Sequence, residues 1–591
     1  METSQKPHPD TIRIDEELEE KVGEKTQHVE NVDSSTMHSS DNGYDTRMTF
    51  RRFMAIMSIG ICFFSCIWSI FAISNLITII NEDLGPSESY TWMATAQVLA
   101  GGIPTVVLGR LSDIYGRRLF ILIGAVLGIL GAAICANATS VPMFIGGSAI
   151  LGVTYSFYQL SWAAIGELVE KRHRPVVFGL MEASAGLSGT FGPVIANLLA
   201  TRATWRLDLW ISFILNVICL VLVFFFYRPI HHRLDDPDKT FWHHLKEIDH
   251  GGIFLLVGGL ILFLVGISFG GIQYPWKSAT VISMLVVGGV LLIMFGFYEA
   301  YARIPYPILP SALFTNGRNY MMITAATTIY GMAYLSTIVL LPQEVGYLFT
   351  KNPVTIGWYS SAAGIGGFLF SPIAGWILQK TGHAKWFLTA CLCGIVLGSG
   401  IGALVSTDSY VATVAGAVIV SASSAATGMV TTTMVQVILP PSYIGIATTF
   451  LSTCRSVGGA IATTVYTTIL TNYIKEHEGT NIAEAAVKAG LNIQYVPALA
   501  GALAAQNQTA LALVPGVTPL IIEVSVAAIL HTLVKAFRLV FYTSLAFGSF
   551  GILCALCTKS VDQYMTKDID VAVERKGPLA HESRHEAGLE A

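Results

Sequence analysis

The sequence predicts an all-α membrane protein with fourteen transmembrane helices arranged as six, two and six. Three observations lead there. Of its 591 residues, 53% are hydrophobic and 13% charged, with a mean hydropathy of +0.59, whereas about a quarter of residues in soluble proteins are charged. Apolar runs of roughly 18 to 25 residues, long enough to cross about 30 Å of hydrocarbon, recur from Phe53 to Cys557. The connecting loops alternate between rich and poor in basic residues, as the positive-inside rule requires.

The first run, centred near Cys66, follows Arg51 and Arg52 and has no small-residue cleavage pattern, so it is expected to be a permanent helix with the amino terminus inside. The second and third, near Ala100 and Gly128, flank a turn carrying Arg110, Arg117 and Arg118. The fourth and fifth, near Val153 and Gly189, flank Lys171, Arg172 and Arg174. The sixth, near Leu215, leads into a loop with Arg228, Arg233, Lys239 and Lys246. The seventh and eighth centre near Leu260 and Val287, and the remaining six near Tyr330, Gly366, Leu397, Ser421, Ala460 and Gly548. Lys535 and Arg538 fall near the start of the last run and are expected to snorkel to an interface. The alternate loops hold few basic residues, namely Arg202, Arg206, Lys277, Lys351, Lys475 and Lys488. Both termini are therefore expected in the cytoplasm.

Five segments follow. Residues 1–46 are acidic, without apolar periodicity, and are expected to be a disordered cytoplasmic tail. Residues 47–230 form an N-terminal six-helix bundle, 231–300 a cytoplasmic loop and two inserted helices, 301–558 a C-terminal six-helix bundle, and 559–591 a cytoplasmic tail. An extracellular loop is expected at about 474–525, with a glycosylation sequon at Asn507-Gln508-Thr509; the sequon at Asn137 is expected to lie too near the bilayer. All nine cysteines fall within or at the ends of apolar spans, so neither a disulfide framework nor a metal site is expected, and Cys554-x-x-Cys557 is expected to serve helix packing. No Gly-Lys dipeptide occurs, which excludes a phosphate-binding Walker loop and ATP-driven pumping by this chain. No cofactor and no nucleic-acid surface are expected.

The densest signal is the turn Gly109-Arg110-Leu-Ser-Asp113-Ile-Tyr-Gly116-Arg117-Arg118. Its glycines let two helix ends approach, and Asp113 can pair with a guanidinium from Arg117 or a neighbouring helix. A weaker echo with the same glycine spacing stands at Gly375-Trp-Ile-Leu-Gln379-Lys-Thr-Gly382-His383-Ala-Lys385, where Gln379 replaces the acid. The natural reading is an internal duplication into two six-helix halves, with a site near the midplane and one half rocking against the other.

Here the chain resembles the major facilitator superfamily, whose signature between helices two and three is matched by Gly109 to Arg118. Asp249-x-x-Gly252-x-x-Leu255 is similar to the opening of helix seven in the fourteen-helix drug/proton antiporter branch. Most of the chain resembles the fungal trichothecene efflux pump family, through Asn81 to Pro86, Trp92, Gly166-Glu167-Leu168, Gly270 to Ser278, Tyr298-Glu299, Pro307 to Pro310, Gly445-Ile-Ala, Arg455-Ser456 and Tyr466 to Asn472. That resemblance implies a major facilitator fold and export of toxic secondary metabolites. Departures qualify it. Ser148 stands where antiporters carry an arginine four residues before Gly152, so coupling through that arginine is unavailable. The antiporter glycine series of helix five survives as Gly186, Gly189 and Gly192-Pro193, a helix-five bend, with Ala196 and Asn197 replacing its last glycines. Trp205-Arg206-Leu207-Asp208 stands where the family has Trp-Arg-Trp.

An ionisable group within hydrocarbon costs a few kcal/mol and usually faces a cavity or partner. Glu182, two turns into helix five, is the proton-coupling candidate, and Arg455, flanked by Ser452, Ser456 and Gly458-Gly459, needs a buried acceptor or an anionic ligand. The superfamily's cavity-lining helices correspond to one, four, nine and twelve. The resemblance therefore makes Trp68, Phe71, Asn75, Tyr155, Tyr158, Gln159, Tyr330, Tyr334, Thr431 and Gln436 the cavity candidates. Aromatic faces with a few amides and hydroxyls suit a bulky, oxygenated, largely apolar molecule. The expected activity is proton-coupled export of a trichothecene-like toxin or other xenobiotic by alternating access, by a monomer in the plasma membrane, with a vacuolar or vesicle membrane as the alternative. Its partners are the small-molecule substrate, protons and the lipid bilayer. The alternatives are ferric siderophore/proton symport on the same fold and a non-transporting nutrient sensor. An enzyme is not expected, since no nucleophile with a base lies within the spans.

Overall fold

Helices of membrane-crossing length follow one another through the computed structural model, which describes residues 49–561 apart from 86, 88, 91, 230–248, 272, 302–306, 311–312, 314–316, 408, 440–442 and 505–513. The tail at 1–46, the sequon at Asn507 and most of the tail after 559 lie outside the described residues. Twelve helices qualify as spans by length and hydropathy: α1 (Phe50–Leu84), α2 (Trp92–Tyr115), α3 (Arg117–Ala136), α4 (Val141–Leu168), α6 (Arg206–Phe226), α7 (His250–Phe269), α8 (Ala279–Tyr301), α9 (Arg318–Leu348), α10 (Pro353–Thr381), α11 (Ala384–Gly402), α12 (Val411–Ile438) and α14 (Pro519–Leu556). Two more, α5 (Arg174–Arg202) and α13 (Ile444–Lys488), bring the described helices of this length to fourteen. Their mean hydropathy is low because α5 is rich in glycine and carries Glu182, while α13 continues into the charged run Lys475 to Lys488. All fourteen predicted centres fall inside these helices.

Local chemistry sets the helix ends. Thr49, Asn352 and Thr518 cap α1, α10 and α14 with side-chain oxygens that accept a first-turn N–H, and Pro at the first turn of α5, α10 and α14 wastes no donor. Gly116, at φ 89°, separates α2 from α3 in a backbone conformation that a side chain would strain.

Helices α1 to α6 pack among themselves, as do α9 to α14, while α7 and α8 pair with each other and meet the rest through contacts of α7 with α2 and α13. Only 17% of the apolar window of α8 is buried, so most of its surface is left to lipid. Between the halves, α5 lies along α10 and α2 along α13.

The described part of the segment expected as an extracellular loop, about 474–525, is largely helical. Helix α13 runs unbroken to Lys488, a short helix follows at Val496–Ala504, and α14 begins at Pro519. Ala486, Leu491, Val496, Leu499 and Ile521 form a small core of their own, and Asn481 donates to Thr532 at 2.8 Å. Strong helix formers such as the Ala483 to Ala486 stretch sustain the helix after its hydropathy has lapsed. Lys535 and Arg538 accordingly sit mid-helix in α14. Lys535 is exposed, whereas Arg538 donates to the Val405 carbonyl at 2.9 Å.

Candidate functional site

The signature turn meets the ends of α1, α4 and α6 at one end of the bundle, while Arg233, Lys239 and Lys246 lie outside the described residues. Arg117 is buried and holds Glu167, at the end of α4, with two bonds of 2.9 and 2.5 Å, and Asp113 at 3.1 Å. Asp113 Oδ2 accepts the Ile446 N–H at 3.0 Å, at the amino terminus of α13 in the other half. An anion there meets the positive pole of the helix and one of its orphan donors. Arg118 donates to the Phe224 carbonyl at 2.7 Å, and Arg52 to that of Leu168 at 2.8 Å. Arg110 is half-buried on the same turn. Gly109 lies so close to Thr449 of α13 that a Cβ would overlap its side chain.

Further bonds cross between the halves at this end. Arg174 donates to the Gln436 carbonyl at 2.8 Å, and Gln436 Nε2 donates to the Trp162 carbonyl at 3.1 Å. Gln379, the residue replacing the acid in the echo motif, meets His173 at 2.7 Å. The turn end is thus closed by hydrogen bonds between the halves.

Along α5 the glycine series serves close approach. A Cβ on Gly186 would strike the backbone of Phe368, one on Gly364 the backbone of Gly189 and Thr190, and Ser371 of α10 donates to the Gly179 carbonyl at 2.7 Å. Phe71 fills the space beside Gly189 and Gly192. Pro193 sits inside a continuous helix, and Asn197 Nδ2 donates to its carbonyl at 2.9 Å.

Deeper in the protein, charged and phenolic groups from both halves converge. Arg455 of α13 donates to the Tyr155 hydroxyl of α4 at 2.7 Å and to the Tyr330 hydroxyl of α9 at 3.3 Å, with its guanidinium over the Tyr330 ring. Glu182 of α5 is 3% exposed and within electrostatic reach of Arg455 and Tyr330, and its Oε1 has no hydrogen-bond partner. Tyr334 stacks obliquely on Tyr330 at 6.0 Å between ring centres. Gln159 accepts from Ser452 at 3.3 Å one turn further along α4.

Other candidates lie apart from this cluster. The Tyr158 hydroxyl donates to Asn216 at 2.9 Å inside the N-terminal half, Trp68 faces Phe64 and Asp208, and Asn75 turns its amide back to the Phe71 carbonyl. Thr431 bonds to the Thr427 carbonyl of its own helix, and Gln436 belongs to the closed end. Glu167 was given no role by the sequence; its signal was an acid ending an apolar run at the same end as a turn with three arginines. Among the described residues no cluster of metal-ligating side chains occurs, and the nine cysteines are free thiols.

A sequence model of the fungal trichothecene efflux pump family matches residues 20–581. The chain is 27% identical over 497 residues to the trichothecene efflux pump TRI12 of Fusarium sporotrichioides, covering 83% of each chain. It is 28% identical over 538 residues to TRI12 of Trichoderma arundinaceum, covering 87% of each. In fold it is similar to the major facilitator superfamily proton:xylose symporter XylE, with a TM-score of 0.53 and 13% identity over 88% of this chain and 99% of the other.

Proposed function

This chain belongs to the fungal trichothecene efflux pump family, and from that premise we propose that it exports toxic, trichothecene-like secondary metabolites or other xenobiotics in exchange for protons. It is a multi-pass membrane transporter of the major facilitator fold and not an enzyme. The observation that carries the finer reading is the meeting of Glu182, Arg455, Tyr155, Tyr330 and Tyr334, which come from both halves and lie between α4, α5, α9 and α13.

A carboxyl beside a guanidinium in a dry setting is a two-state device. Charged, Glu182 is attracted to Arg455; protonated, it releases that guanidinium to other acceptors. The tyrosine rings give a substrate an apolar face, and their hydroxyls give it a hydrogen-bonding edge. Asp113 on the α13 terminus, Arg174 on Gln436 and Gln379 on His173 must all part for the turn end to open, while the α5–α10 seam permits rocking without insertion of side chains. If basic loops mark the cytoplasm, the closed end is the cytoplasmic one. One proton crossing 100 mV supplies about 2.3 kcal/mol, which at 1.36 kcal/mol per tenfold sustains roughly a fiftyfold gradient. Self-protection by efflux is best served at the plasma membrane, which we take as its location.

Arg455 also favours a second reading, uptake of an anionic ferric siderophore. Its charge is already met by Glu182 and two phenols, which supports export of a neutral cargo instead. Expression in a transporter-depleted yeast separates the two. Lower toxin retention in cells carrying the protein, at acidic external pH, supports export; pH-dependent iron accumulation would reverse the reading.

A further inference from the structure

A second buried acid lies outside the central cluster. Glu344, on α9, is 3% exposed and accepts the Thr413 hydroxyl of α12 at 2.7 Å. It borders a partly open space of about 50 Å³ between α9, α11, α12, α13 and α14. The wall includes Ser336, Ser399, Tyr466 and Ser544. Ser399 and Ser544 bond to each other at 3.2 Å, while the buried Tyr466 hydroxyl, within reach of Ser544, makes no hydrogen bond of normal geometry.

The size of this space restricts its occupant. Organic ligands need roughly 300 Å³ or more. A water needs roughly 10 to 15 Å³ of such volume and two to four polar partners, so about three or four waters fit here. Much of the wall is apolar, but the Glu344 carboxyl, the unpaired Tyr466 hydroxyl and the serine hydroxyls give water polar partners, which a wholly apolar void would lack. Among the described residues, Glu344 is the one charged side chain on the wall, and Tyr466 the other titratable group. The nearby cation of α14, Arg538, is turned to the Val405 carbonyl. Glu344 also stands one turn, about 6 Å along the axis, from the end of α9 at Leu348, and two residues after Pro342, whose missing N–H leaves a carbonyl of the preceding turn free for water.

We propose that Glu344 is a second proton-binding carboxyl, held in a hydrated chamber of the C-terminal half and exchanging protons with the end of the bundle opposite the Gly109–Arg118 turn. A hydronium ion delivers the proton, an O–H bond forms on the carboxylate, and water is left behind; release reverses the step. The chamber lies within one half and admits no organic cargo, so it loads a proton without competing with substrate for the central site. Its part in transport rests on the proton-coupled reading above, but its occupancy does not.

The test is infrared difference spectroscopy on the full chain in lipid, without substrate, between acidic and alkaline buffer. A protonated-carboxyl stretching band is expected that shifts promptly in deuterium oxide, vanishes on alkalinisation, is lost in Glu344→Gln and persists in Glu182→Gln. Glutamine keeps an acceptor for Thr413; should that variant fail to fold, Glu344→Asp is expected to move the band without abolishing it. A band indifferent to pH or to deuterium would make Glu344 a dry structural acid and overturn the assignment. Displacement of the band by sodium at constant pH would overturn it in favour of a cation site. Loss of export with these bands intact would count against the transport reading alone.

Discussion

Asp113 Oδ2 and the Ile446 N–H lie 3.0 Å apart, which seats a carboxylate from the N-terminal half on the first turn of α13 in the C-terminal half. Because an anion at a helix amino terminus contributes about 0.3 to 2 kcal/mol, Asp113→Asn should weaken the closed turn end. One to two kcal/mol corresponds to about a five- to thirtyfold change in the ratio of closed to open forms. Spin labels at the exposed positions Arg172 and Lys380 should report a longer distance in the variant. An unchanged distribution would remove Asp113 from the contacts that close the turn end.

Glu182→Gln should abolish the dependence of transport on a pH gradient. Uphill export is expected to fall at least about tenfold, the effect of about 1.4 kcal/mol of lost driving force, while downhill exchange of labelled cargo persists. On the proton-coupled reading, acid outside loads the carboxyl and alkali inside empties it, so the wild-type rate should rise with that gradient and the variant's should stay flat. Reconstituted vesicles at two internal pH values provide the measurement.

Arg455→Met should destabilise the protein by about 3 to 5 kcal/mol, because it strands the buried Glu182 carboxyl and two phenols. Adding Glu182→Gln should recover part of that loss. Thermal unfolding of both singles and the double completes the cycle, and strict additivity would show that the two groups do not interact.

Gly186→Ala should cost about 1 to 3 kcal/mol through overpacking, since the new methyl meets the backbone of Phe368 rather than a side chain able to move. Gly289→Ala on α8 meets nothing within 4 Å and should be neutral or mildly stabilising. Equal melting temperatures for the two variants would contradict the close α5–α10 seam.

The helices were legible in hydropathy, because each apolar run is bounded by charges or turn residues, and even α5 and α13 announced themselves by their flanks. The extension of α13 to Lys488 was not. Hydropathy measures what lipid tolerates, whereas the helix there is kept by alanine propensity and by its own small core. Glu182 and Arg455 stood out as charges inside apolar runs, but their convergence with Tyr155 and Tyr330 depends on contacts between residues far apart in the chain. Tyr158, three residues and so only about 60° around α4 from Tyr155, bonds instead to Asn216 inside the N-terminal half, a divergence that spacing along one helix does not reveal. Glu344 carried a local signal, an acid just after a proline, that only the cavity beside it makes informative.

The glycine seam between α5 and α10 has a consequence for how such a protein can evolve. Nearly every codon change at Gly186, Gly189 or Gly364 enlarges a side chain that has nowhere to go. At the central aromatic wall, by contrast, the contacts are made by side chains rather than by backbone. If cargo meets that wall, as proposed, new cargoes are within reach of single mutations there, while the close α5–α10 seam stays fixed.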